Sequence, residues 1–465
     1  MTGLITLRHE VEQTRFRREQ IDDSRTAIPA GTVKSLEKAL RAEIRGEVHF
    51  DDGFRALYAT DASNYRQVPI GVVIPRDVED VIHAVAAARE HGAPVLSRGG
   101  GTSLAGQCCN VGLVLDFSKY LIRVLEIDPD RRTARVEPGV ILDDLRNAAQ
   151  AYGLTFGPDP ATHSRNTLGG MLGNNSCGVH SLLCRKSGRG LRTSDNTHSL
   201  AVLTYDGLGM EVGPTSDDDL ERLTRGAGRR GEIYRALAGL RDRYADRIRR
   251  DFPQLPRRVS GYNLDELLPE NGFNVARALV GTESTCVTIL EATLDLVPNP
   301  GARSLLVLGY PDVFATADHL MQILDLDPTA LEGMDHLLFE WISRKGDERA
   351  NLSMLPEGRG WLLVEFGGDS KEDADQQAHQ CMEMLKRQDS RPTMRLLDDP
   401  HEERMIWEVR ESGLGATAWV PGQPDSWPGF EDSAVPPARV GEYLRDLKSL
   451  MNRYGLNPSL YGHFG

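Results

Sequence analysis

Apolar residues fall in short blocks separated by helical stripes, and the order of those blocks sets the organisation of the chain. Gly71-Val72-Val73-Ile74 is a continuous apolar run closed by Pro75, the pattern of a buried strand. Asp77 stands where a helix N-cap belongs, and Val78, Val81, Ile82 and Val85 recur on one helical face before Gly92 ends the segment. A second strand, 93–97, runs straight into Arg98-Gly99-Gly100-Gly101-Thr102-Ser103. Strand patterns follow at 113–117 and 133–136, and a helix ends near Gly153.

A second Gly-rich region comes next, Phe156-Gly157-Pro158-Asp159-Pro160 and then Thr167-Leu168-Gly169-Gly170-Met171-Leu172-Gly173-Asn174-Asn175. Pro298-Asn299-Pro300-Gly301 reads as a linker, because neither neighbouring element can continue through it. Beyond it the pattern restarts with a strand at 304–309, a helix from about 312 and a strand at 361–366. Residues 1–45 are charged and helical in pattern, most clearly over 35–44. The expected division is a helical segment at 1–45, one domain at 46–300 and another at 301–465.

Charge narrows the function. The 465 residues carry 54 Lys and Arg against 68 Asp and Glu, a formal charge of −14, so a nucleic-acid partner is not expected. No apolar run approaches the ~20 residues of a membrane span. The charged N-terminus lacks the apolar core of a signal peptide, so the expected location is the cytoplasm, with peripheral attachment at the inner membrane as the variant. Six cysteines without a Cys-x-x-Cys pair encode neither a zinc knuckle nor an iron–sulfur run, so no iron–sulfur cluster is expected in this chain.

Three glycines after a strand let a backbone pass close to something, and one candidate is a phosphate held by consecutive N–H groups. The two common fingerprints fail. Gly101 and Gly106 have P-loop spacing, but Gln107 occupies the lysine position, and Leu104 stands where a Rossmann motif needs glycine. Alone, the first loop could be a structural turn. Two such loops, one with paired asparagines, suit an extended flavin dinucleotide, whose diphosphate needs dense local donors in so acidic a chain.

The stretches 72–81 and 97–107 resemble the FAD-binding domain of the vanillyl-alcohol oxidase and p-cresol methylhydroxylase superfamily. The stretches 156–160, 169–178, 258–276, 281–292, 330–335 and 431–437 look like the large bacterial D-2-hydroxy-acid dehydrogenases, which include D-lactate and D-2-hydroxyglutarate dehydrogenases. The resemblance implies an α+β fold: a two-subdomain FAD-binding domain followed by an α+β cap of the FAD-linked oxidase C-terminal type, here truncated at its end. It implies that Arg98, Gly99, Gly100, Gly101, Thr102 and Ser103 wrap the diphosphate, with Gly106 and Gln107 continuing the loop. Pro75 would approach the adenine side, and Pro138, Gly139, Pro158 and Asp159 would line the dinucleotide. Thr167, Gly169, Gly170, Asn174, Asn175 and Gly178 would complete the second cradle. No His or Cys lies within 98–103, so non-covalent FAD is expected. Ser284 departs from the glycine usual in Gly-Thr-Glu-Gly, a small change.

Oxidising a 2-hydroxy acid requires a cation for the carboxylate, a base for the hydroxyl proton and a hydride path to the flavin. Arg410, in Trp407-Glu408-Val409-Arg410-Glu411, matches the family arginine taken to clamp the carboxylate, a task suited to its planar fork. His463, in Tyr461-Gly462-His463-Phe464-Gly465, matches a histidine that helps bind a divalent metal such as zinc, which lowers the hydroxyl pKa. The second histidine of that motif is absent, so the metal site is expected to be incomplete, and Glu431 and Asp432 are possible further carboxylates without a motif behind them.

The leading expectation is an FAD-dependent dehydrogenase of a D-2-hydroxy acid that passes electrons to an iron–sulfur domain, quinone or cytochrome. A second reading is a catalytically incomplete flavin-binding fragment that needs a partner chain for the rest of the cap. A third is an oxidase or reductase of the same fold acting on an alcohol or an enolpyruvyl sugar.

Overall fold

The computed structural model describes residues 28–346, 354–397, 399–424, 426 and 432–465, so the helical expectation for 1–27 lies outside the described residues. The first sheet holds β1 (Glu47–His49), β2 (Gly71–Ile74), β3 (Val95–Arg98) and β4 (Leu113–Asp116) in the order β1-β2-β4-β3. β2 and β3 run parallel to β4 between them, and β1 is antiparallel to β2. Helices α1 (Ala30–Glu43) and α2 (Val78–Glu90) cover it, and the Asp77 carboxylate caps α2 by accepting from the Asp80 N–H. Leu36, Leu40, Val73, Val81, Val85, Leu113 and Leu115 form its core. Ile82, expected on the buried face of α2, is 40% exposed, because Val81, Ala84, Val85 and Ala88 already complete the inward stripe.

The second sheet is antiparallel: β5 (Val124–Asp128), β6 (Thr133–Val136), β7 (Thr197–Leu203), β8 (Gly209–Val212) and β9 (Thr288–Asp295), ordered β5-β6-β9-β7-β8. Its core packs Val136, Leu200, Val202 and Leu294 against α3 (Leu142–Gln150) and α4 (Leu168–Asn174). α3 brings in Leu142 and Leu145, and α4 brings in Leu168 and Met171.

After β9, Val297–Pro298 pairs with Leu154–Thr155, and the chain enters a third sheet. Here β10 (Ala302–Tyr310), β11 (Ala330–Asp335), β12 (Gly360–Gly368), β13 (Thr393–Leu397) and β14 (Tyr461–His463) are antiparallel in the order β13-β10-β12-β11-β14. The strands at its centre are apolar on both faces because both are covered. Leu306, Leu308, Val364 and Phe366 pack on α5 (Lys371–Leu385), and Leu305, Val307 and Leu363 pack on α6 (Pro400–Glu411). α7 (Val440–Arg453) adds Val440 and Leu444 to the first face. Glu332 and Glu365 interrupt the apolar pattern on the α6 side. Ala330 pairs with Glu365, and side chains two apart on a strand share a face, so both carboxylates lie on one face of this sheet. Among the described residues, no helix is long and apolar enough to cross a membrane.

Candidate active site

The two Gly-rich loops meet in one cleft. It holds about 810 Å³ of empty space, part of it open to solvent. Arg98 through Ser103 line one wall with Gln107 and Cys108, and Pro138, Thr167, Gly169, Gly170, Gly173 and Asn174 line the other. The glycines are there because the walls touch. A Cβ on Gly99 would fall 1.9 Å from Thr167 Oγ1, and one on Gly100 would fall 2.3 Å from the Arg165 carbonyl oxygen. Thr167 caps α4, its hydroxyl accepting from the Gly170 N–H, and the Gly169 N–H donates to the Pro138 carbonyl.

What faces the cleft suits an anion. Among the described residues, no hydrogen bond is donated by the backbone N–H groups of Gly100, Gly101, Thr102 or Ser103, and Ser97 Oγ is buried without a partner. Successive free amides around Gly101, with its left-handed φ of +66°, form a concave donor array for a diphosphate. The residues present therefore fit the FAD implied by the resemblance.

Arg98 lines the cleft, but its side chain is engaged at the loop. Its guanidinium donates to the carbonyls of Tyr58, Thr60 and Cys108 and stacks over the Tyr58 ring, so it braces the neck of the loop, and backbone amides are the free donors. Pro75, Gly106, Gly139, Pro158, Asp159, Asn175 and Gly178 do not line the cleft. Asn175 ends α4 at φ +54° and accepts from the Ser194 N–H, while Gly139 donates to the Leu121 carbonyl. Asp159 is buried and paired with His180, as is described below.

A third wall, Leu279, Thr282, Glu283, Ser284, Val287 and Ile289, belongs to the segment leading into β9. The Glu283 N–H donates to the Gly173 carbonyl, and Ser284 Oγ accepts from the Ser97 N–H at 3.1 Å. Ser284 has φ +63°, a left-handed conformation that favours glycine, which gives the departure at this position its physical meaning. The Gly281-Thr282-Glu283 stretch was the sequence signal for this wall.

The second centre lies on the α6 side of the third sheet. Glu332, at the middle of β11, is fully buried and is the cross-strand partner of His463 on β14. Its Oε1 accepts from His463 Nδ1 at 2.7 Å, and its Oε2 is 2.7 Å from Arg410 Nη2 on the last turn of α6. The Arg410 contact is an ion pair without hydrogen-bond alignment, and Arg410 Nε is buried with no partner among the described residues. The Tyr461 ring lies 5.2 Å beneath the guanidinium. Burial alone would raise the Glu332 carboxyl, but His463 and Arg410 outweigh it and hold the group below its ordinary value. Glu332 was not singled out from the sequence, since its partners are 78 and 131 residues away and meet it only when the β11–β14 register is set.

The metal implied for His463 finds no fitting site. Among the described residues, no three His, Cys, Asp or Glu side chains converge as ligands, Asp432 included, and Glu431 lies outside the described residues.

Asp159 and His180 join the two halves of the molecule. His180 Nδ1 is 2.5 Å from Asp159 Oδ2, its Nε2 is 3.3 Å from Glu365 Oε2, and its ring lies 5.8 Å from that of Trp407.

Residues 69–213 match the FAD binding domain family, and residues 299–465 match the C-terminal domain of FAD linked oxidases. The chain is 29% identical to a D-2-hydroxyglutarate dehydrogenase of Pseudomonas putida, over 94% of this chain and 44% of that one. It is 26% identical to a glycolate oxidase subunit of Bacillus subtilis, over 91% of this chain and 77% of that one. It spans less than half the length of the D-2-hydroxyglutarate dehydrogenases it matches. The fold is that of p-cresol methylhydroxylase, with TM-score 0.57 at 15% identity over 83% of this chain and 72% of that one.

Proposed function

Because the chain carries an FAD-binding domain and the C-terminal domain of FAD-linked oxidases, we propose that it oxidises a D-2-hydroxy acid of the lactate or 2-hydroxyglutarate type. The observation that carries this reading is Arg410, a buried arginine whose Nε–H has no partner among the described residues, beside a histidine oriented by the same carboxylate.

Arg410 would take the substrate carboxylate, and Tyr461 and Glu332 would hold the guanidinium so that little side-chain entropy is lost on binding. Glu332 accepts from His463 Nδ1 and so orients the ring, and Nε2 is the atom that would take the substrate hydroxyl proton. FAD, when bound, supplies the two-electron acceptor for the Cα hydride. The amides of Gly100–Ser103 and the walls at Gly169–Gly170 and Thr282–Ser284 would hold that cofactor non-covalently. No step of this route passes through a metal. An iron–sulfur protein, quinone or cytochrome then takes the electrons, in the cytoplasm or at the inner face of the membrane.

The test is an anaerobic visible spectrum of the FAD-loaded protein before and after D-lactate, D-2-hydroxyglutarate and their L enantiomers. Bleaching by a D acid alone is the expected result. A flavin spectrum untouched by every D acid would overturn the reading.

A further inference from the structure

A row of charges of alternating sign crosses the seam between the two domains. At one end is Glu411, the residue after Arg410 on α6, with its Oε2 3.7 Å from His163 Nε2. His163 Nδ1 is 2.7 Å from Asp143 Oδ2 on α3, and Arg146 Nη1 is 3.5 Å from Asp143 Oδ1. Arg146 also lies 4.0 Å from Asp159 Oδ2, the partner of His180. His180 then reaches Glu365 on β12, which takes the Thr329 hydroxyl at 2.6 Å and lies 3.4 Å from Arg303 Nε. Each histidine thus sits between one carboxylate of the FAD-binding domain and one of the C-terminal domain.

We propose that His163 and His180 are positioning residues, two clasps that lock the C-terminal domain onto the FAD-binding domain, His163 through Glu411 of α6 and His180 through Glu365 of β12 beside Trp407 of α6, and so fix Arg410 at the substrate site. The proposal rests on the reading of Arg410 given above. The row's four carboxylates are matched by four cations only when both imidazoles are protonated, since Arg146 and Arg303 supply the other two. Arg257 donates to the Gly178 and Gly465 carbonyls and makes no ion pair with the row's carboxylates among the described residues.

Glu411, with Asp143 after it, raises the His163 imidazole to about 8 against its partial burial. Burial pushes His180 down, but Asp159 and Glu365 outweigh it and raise it to about 9. Both folded values exceed the ordinary 6.5, so the clasps are closed at neutral pH. Their stabilisation is complete below the ordinary value and is lost as pH rises through the folded ones.

The experiment uses the FAD-loaded full chain. Amide exchange over 400–411, corrected for intrinsic rate, is followed from about pH 6.5 to about pH 9.5, together with the KM for whichever D acid bleaches the flavin. Protection of this helix should fall, and KM should rise, by roughly tenfold or more across that range, while kcat changes less. His163→Gln and Glu411→Gln should show part of the weakening already at neutral pH, with a shallower remaining pH dependence that His180 carries near pH 9. Since His163 lies on a half-exposed loop, its variant serves where His180→Gln fails to fold. Protection of 400–411 that ignores both pH and the His163 substitution would overturn the clasps. A pH-dependent helix in a protein that no D acid reduces would sink the substrate reading and leave the clasps standing.

Discussion

Glu332 and Arg410 are 2.7 Å apart with the carboxylate fully buried and the guanidinium nearly so, yet among the described residues the arginine Nε–H has no partner. A buried pair of this kind is weak evidence for stability, since desolvating both ions offsets much of their attraction. Its meaning is positional: one side of the guanidinium is anchored, while its Nε–H has no partner among the described residues. Breaking it from the acidic side should be expensive. Glu332→Ala leaves a buried cation and should lower the unfolding free energy by about 3–5 kcal/mol in urea titrations, with Glu332→Gln costing less. Equal stability of Glu332→Ala and the parent would show that the pair is more solvated than the structure implies.

Arg410→Lys keeps the charge opposite Glu332 and loses the planar fork. FAD binding should be unchanged while kcat/KM for a D-2-hydroxy acid falls roughly 30-fold or more, the equivalent of about 2 kcal/mol of a desolvated charge contact. Steady-state kinetics beside a flavin titration separates the two effects. An unchanged kcat/KM would favour a substrate without a carboxylate, such as an alcohol.

The contact between the Gly-rich loops is directly testable. Gly100→Ala puts a methyl against the Arg165 carbonyl and must push the walls apart, so FAD affinity should drop roughly tenfold or more in fluorescence titrations. Gly209→Ala, where a Cβ meets nothing within 4 Å, is the matched control and should bind FAD as the parent does.

Acid should act through the buried carboxylates. Glu332 and Glu365 are held below their ordinary 4.5, in each case against burial, the first by His463 and Arg410 and the second by His180 and Arg303. A depressed folded value contributes stability that is present above the ordinary value and lost as pH falls through the folded one. Unfolding free energy should therefore decline below about pH 4.5, and Glu365→Gln should flatten part of that slope. A slope identical to the parent's would show that Glu365 is not ionised in the folded protein.

How much of this was readable in advance depends on the range of the interaction. Gly71–Ile74, the Asp77 cap and the turn at Gly92 are local, and the chain signals them locally. Ile82 was misplaced because periodicity defines a stripe without its edge. The meeting of the two loops was implied by their glycines, though not which atoms would crowd them. Asp159 and Arg98 were assigned to the dinucleotide on position alone. Their side chains are spent elsewhere, on His180 and on three carbonyls, because a buried charge takes the nearest partner the tertiary fold offers. Glu332 was invisible for the same reason: a glutamate in an apolar strand acquires its partners only through sheet register.

The most direct measurement is anaerobic stopped-flow reduction of the FAD-loaded chain by D-2-hydroxyglutarate carrying deuterium at C2, beside the unlabelled acid. The account requires single-turnover bleaching that saturates with substrate and slows on deuteration, as hydride transfer from Cα demands. Bleaching at the same rate with both isotopes, or none with either D-2-hydroxyglutarate or D-lactate, would contradict it.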